Sequence, residues 1–136
     1  MKYFLTLIFS FSVTTVMAQE EFKASPPVIV AKISLGETVN FEDGSITFLK
    51  VIEDSRCPKD VDCIWAGQAK VLVAIESNGT TTEKELIFHG INFGTAHENT
   101  LFVSETKTYI GYRLSPYPLT TEHADKRNYR LKIYMK

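Results

Sequence analysis

The chain has 136 residues, with 15 Lys and Arg against 16 Asp and Glu and a formal net charge of −1 when histidine is neutral. That balance argues against nucleic acid or an anionic membrane as a partner. The length suits one domain with one core, and two cysteines, at Cys57 and Cys63, are too few for a four-cysteine zinc site.

Residues 1–18 (MKYFLTLIFSFSVTTVMA) carry one Lys at the start, an apolar centre and a small residue at Ala18. This is the layout of a secretory signal peptide. The apolar centre is too short for a membrane anchor. No cysteine follows it, so lipid attachment is not expected. Cleavage after Ala18 starts the mature chain at Gln19, although Val16 stands where a smaller residue is usual. Residues 19–27 (QEEFKASPP) read as a flexible lead-in. A single domain then fills 28–136. The mature chain has no second apolar span, and is expected to be a soluble periplasmic or extracellular protein.

From residue 28 the apolar runs are short, β-branched and separated by turn residues. VIVAKISL (28–35) comes first, and SITFLKVIE (45–53) follows the turn signal Asp43-Gly44. AKVLVAIE (69–76) places Val71, Val73 and Ile75 on one face. Asn78-Gly79 predicts a hairpin turn, with TTEKELIF (81–88) as the returning strand. After a short run at 101–103, ETKTYIGYRL (105–114) alternates so that Thr108, Ile110, Tyr112 and Leu114 share a side. The last run alternates most clearly. Tyr129, Leu131, Ile133 and Met135 face one way; Arg130, Lys132, Tyr134 and Lys136 face the other. No window has a sustained helical period. About seven strands and this spacing predict an all-β fold, either an antiparallel β-sandwich of immunoglobulin-like type or a small barrel.

The stretch DSRCPKDVDCIWAG (54–67) links two of these strands. In an oxidising compartment its two cysteines have one possible pairing, Cys57 with Cys63. Closing so short a ring stabilises by roughly 2.4 kcal/mol. Pro58 resists strand continuation. Gly67 suits a bulge, and Asp54 suits an Asx turn. Arg56 has Asp54, Asp60 and Asp62 within reach along the chain, and Trp65 can pack its apolar body while its N–H reaches a loop carbonyl. In this reading the loop braces itself. As a recognition surface, the same loop offers Asp54, Arg56, Asp60, Asp62, Trp65 and Gln68, with Trp65 or Arg56 as anchors.

The block resembles one found in a family of small exported bacterial proteins: a strand, Asp-Ser-Arg-Cys-Pro (54–58), a short spacer, then Cys-Ile-Trp-Ala-Gly (63–67) and another strand. The likeness extends to ITFLKV before the block, AKVLV after it, and Ser-Pro-Tyr-Pro at 115–118 before the closing strand. It implies a β-rich secreted domain and carries no activity with it.

Chemistry elsewhere is sparse. Asp54, Asp60 and Asp62 are hard oxygen ligands for Ca²⁺, but their spacing is not that of an EF-hand. His89, His97 and His123 are the candidates for a Zn²⁺ or Cu²⁺ site. There is no Gly-x-Ser-x-Gly, no Cys-x-x-Cys and no phosphate-binding glycine loop. Tyr117, held extended between Pro116 and Pro118, is expected to fold over the end of the core rather than to be displayed. Arg130, Lys132 and Lys136, after Lys126 and Arg127, read as a charged solvent face that discourages edge pairing. The expected function is a non-catalytic binding or accessory module of the cell envelope, needing no cofactor, with an envelope protein or a glycan as partner. The alternatives are a metal-binding sensor or enzyme, and an inhibitor of a secreted enzyme.

Overall fold

Asn and Gly both tolerate positive φ, and Asn78 (φ 52°) followed by Gly79 (φ 74°) uses that tolerance to reverse the chain where the sequence predicts a hairpin. The computed structural model describes residues 28–90, 99–121, 123 and 126–136. The expected signal peptide (1–18), the lead-in (19–27) and His97 lie outside them. The hairpin pairs β4 (Gln68–Ser77) with β5 (Thr80–His89) in unbroken register from Ser77↔Thr80 to Gln68↔His89. On the other side of β4 lies β3 (Gly44–Asp54), and beyond it β2 (Thr38–Phe41). The second sheet is built from β1 (Val28–Ser34), β6 (Thr100–Val103), β7 (Thr108–Ser115) and β8 (Arg130–Met135), in the order β1-β8-β7-β6.

The described chain is thus all-β: two four-stranded antiparallel sheets in a sandwich-like arrangement, crossed between after β1 and after β5. It is not a closed barrel. The strand missing from the sequence reading is β2. Its four residues, Thr-Val-Asn-Phe, sit between Gly36-Glu37 and Asp43-Gly44, too short a run for alternation to register.

The core lies between the sheets. Phe48, Val71, Val73 and Leu86 come from one; Ile33, Leu114, Leu131 and Ile133 come from the other. Burying each such side chain stabilises by about 1.5–3 kcal/mol. The faces predicted for β4 and for the last strand are the ones observed, with Val71, Val73, Ile75, Tyr129, Leu131 and Ile133 buried. The predicted face of β7 is not. Its pairing with β8 shifts between Gly111 and Arg113, so alternation breaks there. Tyr109 and Leu114 point into the core, while Ile110 pairs with Tyr134 on the opposite face. Tyr112 packs edge-on against Tyr134, with ring centroids 5.6 Å apart.

Asn99, fully buried just ahead of β6, joins the two sheets at one margin. Its Oδ1 accepts from the Ile87 N–H (2.9 Å) and its Nδ2 donates to the Ile87 carbonyl (2.7 Å), so one side-chain amide pairs with β5 as a strand would. Its own carbonyl accepts from the Gly111 N–H at 2.9 Å.

Candidate functional site

Three segments meet where β3 ends: the cysteine loop, the chain after β7, and the start of β8. Asp54 is the last residue of β3, and its side chain is only 2% exposed. A buried carboxylate needs hydrogen bonds to offset lost hydration. Arg56 supplies two in a fork, Nε to Oδ1 (2.7 Å) and Nη2 to Oδ2 (2.8 Å). The Tyr129 hydroxyl donates to Oδ2 at 2.8 Å, and Arg127 Nη1 donates to the same oxygen at 3.2 Å. Burial by itself raises the Asp54 carboxyl. The hydrogen bonds and charge of Arg56, then the Tyr129 hydroxyl, outweigh it and hold the carboxyl below the usual aspartate range. Burial pushes the Tyr129 phenol above its usual value; the hydrogen bond from Arg127 opposes this and the Asp54 charge adds to it.

Arg56 also reaches across to the end of β7 and the chain after it. Nη1 donates to the Leu114 carbonyl (2.9 Å) and Nη2 to the Pro116 carbonyl (3.0 Å). The Tyr117 ring lies over its guanidinium, 4.9 Å from centroid to Cζ. Lys59 N–H donates to the Pro118 carbonyl (3.1 Å), and Asp60 accepts from the Thr120 amide (3.0 Å) and hydroxyl. Thr120 thereby holds the exposed Asp60 carboxyl low. Tyr117 is half-buried and folded back on the protein.

The loop itself continues the β3–β4 ladder. Ser55 N–H donates to the Gln68 carbonyl (2.8 Å) and Cys57 N–H to the Ala66 carbonyl (2.9 Å). Gly67 permits this close return. Its φ is 66°, and a Cβ there would lie 1.8 Å from the Ser55 carbonyl oxygen. Cys57 and Cys63 are disulfide-bonded, with Cα atoms 5.9 Å apart. An intramolecular disulfide fits an oxidising, exported environment. No helix among the described residues is long and apolar enough to cross a membrane.

Beyond the ladder the side chains turn outward. Ile64 is 96% exposed, Trp65 82%, and Val61 is exposed beside them. An open notch of about 450 Å³ runs between the disulfide ring, Trp65 and Tyr117. Two sequence readings are corrected here. Trp65 does not brace the corner, because it sits past the last ladder bond with nothing folded over it. Arg56 is not an outward anchor, because all its hydrogen bonds go to Asp54 and to backbone carbonyls. Of the other candidate loop residues, Asp54 is buried, Gln68 is half-buried in the ladder, Asp60 is tied to Thr120, and Asp62 is exposed. Arg127, read as part of a solvent face, has a side chain only 8% exposed against Asp54.

His89 and His123 are exposed at the ends of different connections. Among the described residues no three His, Cys, Asp or Glu side chains converge to hold a metal ion. Sequence reasoning missed Tyr129 and Arg127 as partners of Asp54 because 75 and 73 residues separate them from it. It missed Ile64 as an exposed residue, although a β-branched residue directly after the Cys57–Cys63 ring and short of β4 has no strand to join. No protein-family model, curated protein or solved structure matches the chain.

Proposed function

We propose that the chain is a non-catalytic binding or accessory module of the cell envelope, exported to the periplasm or the cell exterior, which holds an envelope protein through the apolar tip of its β3–β4 loop, beside the Cys57–Cys63 ring. The observation that carries this reading is the contrast between tip and base. Ile64 and Trp65 are almost wholly in water, while Asp54 and Arg56 beneath them are almost wholly out of it. Large apolar side chains grouped in water mark interaction surfaces. Tryptophan is among the residues that most often dominate interface energy. A ring already fixed by a disulfide and a hydrogen-bonded base loses little further freedom on binding. The likeness to small exported bacterial proteins supports the compartment.

The test is capture from envelope extract by wild-type protein and by the Trp65→Ala and Ile64→Ser variants, each checked for an unchanged melting temperature. We expect the partner recovered by wild type to be lost with either variant, since truncating a central anchor costs about 2 kcal/mol or more. Equal recovery from all three would remove the tip from the reading. A protruding, braced loop is also what an inhibitor presents to a secreted enzyme. A captured hydrolase that loses activity in the complex would give the module that role.

A further inference from the structure

We infer that a second site, separate from the loop tip, takes a small organic anion with an apolar body. A cleft of about 320 Å³ opens between the end of β5 and the outer part of β7. Its volume lies within the range of pockets that hold small ligands, roughly 300–1,000 Å³. Phe88 and Leu114, both buried core residues, form its floor, and the rings of Tyr112 and Tyr117 flank it. Lys59, Arg113 and Lys132 stand around it, and none of the described residues that line it is acidic.

Three arguments give the ligand its chemistry. The first is charge. Lys59 and Lys132 both reach the cleft, and an anion there supplies a countercharge to the two ammonium groups. Lys59 and Lys132 have no ion-pair partner among the described residues. The second is the state of Arg56, which also lines the cleft. Its guanidinium is already engaged with the Asp54 carboxylate and with the Leu114 and Pro116 carbonyls, so the anionic head falls to Lys59 and Lys132. The third is the poverty of neutral hydrogen-bonding groups. The one side-chain hydroxyl apart from the tyrosines is Ser115, which donates to the Arg130 carbonyl. Sugar hydroxyls buried there would lack partners. An alkyl chain or an aromatic ring would not need them. The occupant is therefore a carboxylate or phosphate monoester of modest size, aliphatic or aromatic, with its head at the rim and its body between the Tyr112 and Tyr117 rings.

Calorimetric or NMR titration of the full mature protein with octanoate, phenylacetate, phenyl phosphate and the neutral octanol tests this at low and high salt. We expect the anions to bind and to perturb Tyr112, Tyr117 and Leu114 signals, with octanoate at least about tenfold tighter than octanol. The preference should shrink with salt. The Lys59→Gln, Lys132→Gln double variant should lose that preference while still binding octanol as wild type does, which shows the cleft intact. The order among the three anions tells aliphatic from aromatic bodies and carboxylate from phosphate heads. Failure of all anions to bind, wild-type octanoate no tighter than octanol, or an undiminished preference in the double variant overturns the inference. Trp65→Ala should bind octanoate normally, because Trp65 does not line the cleft. Loss of the tip's partner and loss of the anion are thus separate results.

Discussion

Arg56 organises the end of the sandwich through five polar contacts: two to Asp54 as a fork, a longer one from its backbone N–H to the same carboxylate, and two to the carbonyls of Leu114 in β7 and Pro116 just after it. A lysine could not reproduce this, since its ammonium is a point charge without the planar fork. Removing the guanidinium leaves Asp54 buried with fewer donors and takes a donor from the Leu114 and Pro116 carbonyls. Arg56→Ala is expected to cost about 3 kcal/mol, the low end of the penalty for breaking a buried ion pair, because Arg127 and Tyr129 still face the carboxylate. Chemical denaturation checks this, and a loss below about 1 kcal/mol would show that water enters and replaces the side chain. Arg56→Lys should recover only part of the difference.

At the scale of elements, the β3–β4 connection is a ladder that narrows, loses its last backbone bond at Cys57 and Ala66, and is closed by sulfur. The Cys57→Ser, Cys63→Ser variant should lose about 2–5 kcal/mol with its strand signal in circular dichroism unchanged. An unmoved melting temperature on adding reductant would mean that the base bonds alone hold the loop. Strands with long alternation were legible in the sequence: β4 and β8 show their buried faces residue by residue, and Asn78-Gly79 fixes the hairpin between β4 and β5. Two kinds of feature were not. One is local irregularity, as at Tyr112, where one extra residue in β7 reverses the face of everything before it. The other is contact over distance. That Asp54 could pair with Arg56 is visible from their spacing. That Tyr129 and Arg127 complete the group depends on β8 being placed beside the end of β3, which no local pattern encodes.

For the whole molecule, the Asp54 group ties the sheet of β2-β3-β4-β5 to the sheet of β1-β8-β7-β6, so its protonation state bears on global stability. The Asp54 carboxyl titrates below its unfolded value of about 3.9. Its contribution is therefore complete above roughly pH 4 to 5 and disappears as pH falls through the lower, folded value. Tyr129 titrates above its unfolded value of about 10, so its contribution is present below that pH and fades as pH rises beyond it. Melting temperature should be flat between these limits and fall on both sides. Asp54→Asn should flatten the acid limb. An acid limb of unchanged steepness in that variant would assign it to other carboxylates.

The division between a braced base and a tip that takes no part in packing also bears on how such a protein changes over time. Ile64 and Trp65 add little to packing, and the bonds that shape the loop come from Asp54, Arg56, Asp60, Gly67 and the two sulfurs. Residues 61, 64 and 65 can therefore be rewritten without disturbing the scaffold beneath them. The domain is built like a handle with an interchangeable bit, suited to grafting new recognition sequences and to rapid divergence at that one corner.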